Sequence, residues 1–318
     1  MALPTEALPP QVTVPRPPAI KGRRPLGRET KAGYAFLSPW LIGFFALTAL
    51  PMLASLYLAF TDYDLFSPPE WIGLENFERM FSDPRYLTSA KVTAIYVFLG
   101  TPIKLAAALG VAMLLNTKLG GGGFYRSVFY APSLIGASVS VAIVWKAMFI
   151  DEGIVDRMGR SVGLDWGGWV GDPSKTMPMF ILLTVWQFGA PMVIFLAGLK
   201  QIPPELYEAA SVDGAGPVRK FLKITIPMLS PVLFFNLLLE TVNAFQIFAS
   251  AFIISNGTGS PADSTLFYTL YLYIKGFTQF DMGYASAMAW VLVLVVGLIT
   301  AGLFRSSRAW VHYSGESK

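Results

Sequence analysis

The segment at residues 284–304 reads YASAMAWVLVLVVGLITAGLF and contains no charged side chain over twenty-one residues. An α-helix rises about 1.5 Å per residue, so a segment of this length crosses the ~30 Å hydrocarbon core of a bilayer. A helix also satisfies its own backbone hydrogen bonds, which irregular chain in lipid cannot do. The segment therefore predicts a membrane-spanning helix.

Five further apolar segments of similar length precede this one. Hydrophobic residues make up 54% of the chain and charged residues 14%, against about 25% charged in an average soluble domain. The third segment contains Pro132 and Lys146, which makes its pattern the least regular. The predicted fold class is an all-α membrane protein with about six transmembrane helices. The five segments lie at about 35–60, 91–115, 124–149, 177–199 and 228–250.

Basic residues are unequally divided between the two sets of connecting segments. Fifteen Lys or Arg residues, counting Arg126, fall on the side that holds 1–34, 116–123, 200–227 and 305–318, and eight fall on the other. Because Lys and Arg in short loops resist translocation, we expect the first side to be cytoplasmic, with both termini in the cytoplasm. The expected location of the chain is a bacterial cytoplasmic membrane. The net charge of +4 then reflects membrane orientation and gives no reason to expect nucleic acid as a partner.

The segments outside the apolar blocks give the remaining organisation. Residues 1–34 are rich in Pro and basic residues and are expected to form a disordered cytoplasmic arm. Residues 35–308 are expected to form the six-helix membrane domain, and 309–318 a cytoplasmic tail. The Gly120–Gly123 run predicts a tight turn between the second and third spans. Two expectations concern the opposite side: a short amphipathic segment within WIGLENFERMF (71–81) and a long connection at 256–283.

Several kinds of chemistry are absent from the sequence. The chain has no cysteine, and its single histidine, His312, lies in the tail, so we expect no disulfide, metal site or catalytic residue. A membrane enzyme would need a paired acid and base at membrane depth, and none is visible. No GxxxxGK[ST] pattern follows a predicted strand, so nucleotide chemistry would have to come from another chain.

The cytoplasmic loop at 200–227 reads KQIPPELYEAASVDGAGPVRKFLKITIP. Pro204 fits a first helical turn, and Gly214 can adopt the positive φ that closes a helix. A second short helix is predicted from Pro217 to Thr225. A simple connector needs only about 2–8 residues, so the extra length and apolar surface of this loop predict a docking site.

This loop resembles the EAA motif of binding-protein-dependent ABC transporter permeases. The resemblance rests on Glu208-Ala209-Ala210, on Gly214, and on Ile224, Ile226 and Pro227. It continues through Asp213-Gly214-Ala215 as in sugar-importing members, and it includes RSVFYAPSLIGASVSVAIVW (126–145) and WQFGAPMVIFLAGL (186–199). The chain is most similar to the MalF/UgpA carbohydrate branch from about 35 to 308, which implies the type I importer permease (MetI/MalF-like) fold.

The resemblance implies a non-catalytic translocation subunit whose loop acts as a coupling helix. Its expected partners are a second homologous permease, two ATP-binding cassette ATPases, an extracytoplasmic solute-binding protein, a sugar and the lipid bilayer. The chain itself is expected to bind no cofactor, because ATP and Mg²⁺ would be held by the ATPases. By resemblance Glu208 contacts the ATPase, and the coupling residues are Glu205, Glu208, Ala209, Ala210, Asp213 and Gly214.

Polar side chains form a stripe along the fifth span. Asn236, Glu240, Asn243 and Gln246 follow at spacings of four, three and three, which places them on one helical face. Polar groups in a span are costly, so the stripe faces either a cavity or a neighbouring helix. Glu240 either faces that cavity or pairs with Lys104, the only basic residue deep in the second span.

The resemblance favours the cavity. It implies that Asn243 and Gln246 contact sugar and that Gly189 belongs to the same pocket, so the predicted substrate pathway is Gly189, Glu240, Asn243 and Gln246. Met192 stands where the family has a tyrosine, which leaves the particular sugar open. Two alternatives also remain open: a glycerol-phosphate importer, which shares the motif, and an ion-coupled transporter, which requires inverted repeats and a buried acidic relay.

Overall fold

A computed structural model describes residues 26–117, 122–136 and 138–312. Apart from one antiparallel ladder of Thr61–Asp62 (β1) with Glu70–Trp71 (β2), the regular structure in these ranges is helical. The α-helices are α1 Leu26–Phe44, α2 Leu50–Leu58, α3 Glu75–Ser82, α4 Pro84–Ile95, α5 Thr101–Leu115, α6 Gly122–Ile135, α7 Val139–Phe149, α8 Ile154–Ser161, α9 Pro173–Trp186, α10 Gly189–Leu199, α11 Pro204–Val212, α12 Pro217–Lys220, α13 Ile226–Phe245, α14 Ala249–Ile254, α15 Tyr268–Tyr273 and α16 Met282–Trp310. Further π-helical turns are Phe45–Ala49, Tyr96–Gly100, Phe221–Thr225 and Ile274–Thr278.

Four helices in the described ranges are long and apolar enough to cross a membrane, and two bent pairs bring the number to six. These six match the six predicted apolar segments. The four spans without a sharp bend are Gly33–Leu58, Pro84–Leu115, Pro217–Ile254 and Met282–Trp310.

The third and fourth predicted spans are broken, which corrects the prediction of single helices at 124–149 and 177–199. In the third, α6 ends at Ile135, and the Ser138 side chain accepts a hydrogen bond from the Val141 N–H to start α7. In the fourth, α9 and α10 are bent by 47°. Pro191 lies in the first turn of α10 and has no N–H to continue the helical ladder, which accounts for this second break.

The ends of the domain also differ from prediction. Residues 26–34 belong to α1 instead of a disordered arm, since no proline interrupts residues 26–38. Residues 1–25 lie outside the described residues. α16 extends to Trp310, into the predicted tail, of which 313–318 are not described. Of the predicted glycine turn, Gly122 and Gly123 begin α6, while 120 and 121 lie outside the described residues.

Contacts divide the chain into residues 1–53 and 54–318. In the first unit, the described part is α1, the π-helical turn that follows and the start of α2. Its large apolar side chains are mostly exposed, and Trp40 stacks on Phe44. Exposed apolar side chains on a span are those that lipid contacts.

The second unit has two apolar cores, one at each end. The first core contains Phe180, Phe267 and Tyr271, and the second contains Met192, Phe195 and Leu229. The first core includes most of α15, a short helix within the predicted connection at 256–283. Residues 255–281 do connect the fifth and last spans, but the helix within them was not predicted, because six residues are too short to show a periodic pattern and only tertiary neighbours bury them.

The predicted amphipathic segment is confirmed as α3. Its buried Asn76 donates hydrogen bonds from Nδ2 to the Ala59 and Thr61 carbonyls, at 3.1 and 2.9 Å. The same Thr61 carbonyl lies against Gly283 at the start of α16. α3, the end of the first span and the start of the last one therefore meet at this carbonyl.

We expect Gly283→Ala to destabilise the protein by about 1–3 kcal/mol, the usual cost of overpacking. A Cβ at this position would lie 2.1 Å from the Thr61 carbonyl oxygen, and backbone cannot move aside as a flexible side chain does. The measurement is the thermal unfolding of the purified full chain in detergent. Gly297→Ala is the control on the same helix, since its Cβ would meet nothing within 4 Å. Equal melting temperatures for the two variants would contradict the prediction.

Asp83 connects the helices at the end of the spans opposite to α11. It caps α4 by accepting from the Arg85 N–H, and its Oδ2 accepts from the hydroxyls of Tyr271 and Tyr284, the latter at 3.0 Å. Burial alone would raise the pKa of the Asp83 carboxyl, but these hydrogen bonds outweigh it and hold the pKa below its ordinary value. Asp83 therefore stays ionised and fixes this end of the unit.

Candidate functional site

A cavity of about 580 Å³ lies in the second unit, at the level where the helices are broken. Its lining is mixed, with hydroxyl, amide and charged groups beside apolar ones. The lining residues are Tyr96, Thr101, Lys104, Gly136, Ser138, Leu183, Thr184, Gln187, Glu240, Asn243, Ala244, Gln246, Ile247, Phe248, Ala249 and Ser250.

Three helix breaks meet at this cavity. Gly136 and Ser138 lie between α6 and α7, Gln187 lies between α9 and α10, and Gln246 to Phe248 separate α13 from α14. Broken helices in a membrane are tolerated where the freed backbone groups are buried in protein or line a cavity. The polar cavity is therefore the place where this fold accommodates its breaks.

Three of the four predicted pathway residues line the cavity. Glu240, Asn243 and Gln246 face it from the end of α13, and the Asn243 and Gln246 side chains are exposed. Asn236, one turn earlier, is buried and donates from Nδ2 to the Val232 carbonyl of its own helix. The predicted polar stripe thus opens into the cavity only over its last two turns.

Glu240 both faces the cavity and pairs with Lys104, so the two alternatives left by the sequence occur together. Lys104 Nζ lies 2.6 Å from Glu240 Oε2, and the two side chains are only 12% and 14% exposed. Within the described part of the chain the other carboxylate oxygen, Oε1, has no hydrogen-bond partner. It is the acceptor that this pair presents to the cavity.

Sequence reasoning missed a second polar pair in the wall. The hydroxyls of Tyr96 and Thr184 lie 2.6 Å apart, between the second and fourth spans. Gln187 was also missed. Thr184 and Gln187 are only two polar residues in the fourth apolar segment, too few to mark a stripe, and only the neighbouring helices show their role.

The structure corrects the assignment of Gly189 to the pocket. Gly189 does not line the cavity: a Cβ there would lie 2.4 Å from the Phe129 carbonyl oxygen and 2.9 Å from Ser133 Oγ, on α6. Its glycine is required by close helix packing. Met192 is fully buried in the apolar core and also lies outside the lining.

The loop between the fourth and fifth spans folds as predicted at its first helix. α11 begins at Pro204, and Glu205 lies in its first turn. Gly214 has φ +74°, and the Ala215 N–H donates to the Ala210 carbonyl at 2.8 Å, which closes the helix. The predicted second helix is not separate, however, because α12, a π-helical turn and α13 run on without a break.

The two arms of this loop are tied together, while its charged face is left open. The Tyr207 hydroxyl lies 3.0 Å from Thr225 Oγ1, and Lys220 Nζ donates to Ser211 Oγ at 2.5 Å. Within the described ranges no basic side chain pairs with Glu205, Glu208 or Asp213, and all three are exposed.

The same loop exposes apolar residues. Val212 is 89% exposed and Val218 is 70% exposed. Exposed acids beside exposed valines on a braced helix are features of a surface that a partner covers.

Comparison with known proteins finds similarity to membrane transport proteins over most of the chain. Residues 92–311 match the family model described as "Binding-protein-dependent transport system inner membrane component". The probable ABC transporter permease protein YesP of Bacillus subtilis is 51% identical over 94% of this chain and 98% of its own length. The lactose transport system permease LacF of Rhizobium radiobacter is 30% identical over 87% of this chain and 94% of its own.

Two further comparisons extend this result. The sn-glycerol-3-phosphate transport system permease UgpA of Pectobacterium atrosepticum is 31% identical over 91% of this chain and 98% of its own. Among solved structures, a bacterial ABC transporter involved in the import of the acidic polysaccharide alginate matches with a TM-score of 0.72 and 23% identity, over 89% of this chain and 96% of that one. This last similarity confirms the predicted fold.

Proposed function

Since the chain belongs to the family of binding-protein-dependent transport system inner membrane components, it is a multi-pass permease subunit of a transporter, and we propose that it forms one half of the pore of an ATP-driven sugar importer. The observation that carries this proposal is the polar cavity within apolar spans. Its amides both donate and accept hydrogen bonds, as binding of a hydroxyl-rich sugar requires.

The proposed assembly contains a second homologous permease, two ATP-binding cassette ATPases and an extracytoplasmic solute-binding protein. The braced α11–α12 loop, with its unpaired Glu205, Glu208 and Asp213, supports docking of an ATPase. In this arrangement the loop and both termini are cytoplasmic. ATP and Mg²⁺ belong to the ATPases, and this chain binds neither.

Transport in this proposal is alternating access. The solute-binding protein delivers a sugar to the outward-open cavity, where Glu240 Oε1, Asn243 and Gln246 take its hydroxyl groups. Nucleotide-driven closure and opening of the ATPases shift the permease between outward-open and inward-open states, each favoured by a different ligand.

A second candidate is a glycerol-phosphate importer. It is favoured by the UgpA relatives and by Lys104, the one cation among the lining residues that the structure describes. The pairing of Lys104 with Glu240 weakens it, because the carboxylate already neutralises the charge that a phosphate would need. The same pairing removes Glu240 as a free proton relay, which disfavours an ion-coupled transporter.

The test is uptake by the assembled transporter. Tagged full-length chain is purified from its native membrane with its bound subunits, reconstituted in vesicles and supplied with its solute-binding protein and labelled sugars. We expect uptake to require ATP and to persist when ion gradients are dissipated. Gradient-driven uptake by the chain alone would overturn the proposal, and uptake of glycerol phosphate in preference to sugars would favour the second candidate.

A further inference from the structure

The breaks in the third and fourth spans are joined to each other by hydrogen bonds. In an unbroken helix the Gln187 carbonyl would accept from the N–H of residue 191, but that residue is Pro191. The Ala190 N–H, in the first turn of α10, also lacks a helical partner. Both groups lie at membrane depth, where an unsatisfied backbone group is costly.

Ser133 of α6 satisfies both groups. Its hydroxyl donates to the Gln187 carbonyl at 2.9 Å, and its Oγ accepts from the Ala190 N–H at 3.0 Å. The exchange is mutual, because Gln187 Nε2 donates at 3.2 Å to the carbonyl of Gly136, just beyond the end of α6. Each broken helix thus completes the hydrogen bonding of the other.

The two glycines of this contact leave the space that the two polar side chains occupy. A Cβ on Gly136 would lie 2.4 Å from both Cγ and Cδ of Gln187, and all three of its nearest neighbours belong to that side chain. A Cβ on Gly189 would lie 2.9 Å from Ser133 Oγ. A glycine on each helix therefore faces the hydrogen-bonding side chain of the other.

We propose that Ser133, Gly136, Gln187 and Gly189 form a clasp that holds the two broken spans together and fixes the wall of the cavity. Gln187 and Gly136 are themselves part of that wall. Gln187 is a positioning residue in this arrangement: it acts through the placement of Gly136 and Ser138. The clasp itself stands on the geometry, whereas its effect on sugar affinity rests on the proposed function.

The test is a double-mutant cycle in the assembled transporter. Gly136→Ala places a methyl group in the space that the Gln187 side chain occupies. Gln187→Ala removes the hydrogen bond to the Gly136 carbonyl and leaves a gap. We expect each single variant to raise the KM for uptake about tenfold, the equivalent of one or two lost interactions. In the double variant the new methyl group occupies the vacated space, so the KM should return to within about threefold of the parent.

Two further variants complete the design. Gln187→Met keeps the bulk of the side chain and removes its amide group, and with it the hydrogen bond to the Gly136 carbonyl, so we expect an intermediate rise in KM, with the maximal rate within about twofold of the parent. Gly110→Ala is the matched control in the second span, because its Cβ would meet nothing within 4 Å. It should leave the KM unchanged.

The outcomes separate the clasp from its alternatives. If the double variant is no better than the worse single one, Gln187 acts by contacting the sugar directly and the clasp is overturned. If the parent protein imports no sugar, the proposed function fails. The clasp is then tested by the melting temperatures of the parent, the two single variants and the double variant. Each single substitution must lower the melting temperature, and the second substitution must restore it.

Discussion

Lys104→Met is expected to destabilise the protein by about 3–5 kcal/mol and to lower uptake by about a hundredfold or more, because it leaves a buried carboxylate without its partner. The Lys104–Glu240 pair is only 12% and 14% exposed, and its atoms are 2.6 Å apart, so the remaining charge loses its close partner and is solvated only from the cavity. Glu240→Gln should have a comparable effect by leaving Lys104 unpaired. The measurements are thermal unfolding of the purified protein and ATP-driven uptake by the assembled transporter.

The charge exchange Lys104→Glu with Glu240→Lys is the decisive variant. It restores an ion pair between the second and fifth spans, so we expect it to recover most of the stability that either single substitution loses. Lys91→Met is the matched control: Lys91 is on the same span, is exposed, and has no ion pair among the described residues. If the exchange recovers nothing, the contact between the two side chains does not contribute to stability.

Glu208→Lys is expected to lower uptake by about thirtyfold or more while leaving the melting temperature almost unchanged. Loss of one member of a desolvated charge contact with a partner costs about 2–5 kcal/mol, whereas an exposed, unpaired surface residue contributes little to folding. Because Glu208 is exposed, its replacement should act only on the proposed contact with the ATPase. ATP hydrolysis by the assembled transporter should then no longer respond to the loaded solute-binding protein.

The control for this prediction is Glu78→Lys. Glu78 is an exposed helical acid on α3, at the opposite end of the spans. Its reversal should leave ATP hydrolysis stimulated by the binding protein. Normal, fully coupled transport by the Glu208→Lys variant would show that this residue is not needed to couple ATP hydrolysis to uptake.

The sequence predicted the elements whose signal is local. A charge-free block at 284–304 is sufficient to identify the last span, and the spacing of Glu240, Asn243 and Gln246 is sufficient to place them on one face. Pro204 and Gly214 likewise mark the bounds of α11 through their own backbone preferences. Each of these predictions depends on residues close together in the chain.

The features that were missed depend on distant residues. The break at Gln187 follows from Pro191, but its tolerance depends on Ser133, more than fifty positions away. Gly189 was assigned to the pocket by resemblance, whereas the structure places α6 against it. The burial of α15 has the same origin, since its six residues are enclosed only by packing against other spans.

The unbroken course of α12 into α13 gives the fifth span the properties of a lever. Pro217 lies at the exposed loop and Glu240 at the cavity, and 23 residues of helix separate them by about 35 Å. A tilt of about 5° imposed at the loop end would displace the carboxylate by about 3 Å at that length, more than the tolerance of a hydrogen bond. A small rotation at the loop end is therefore enough to make or break contacts at the cavity.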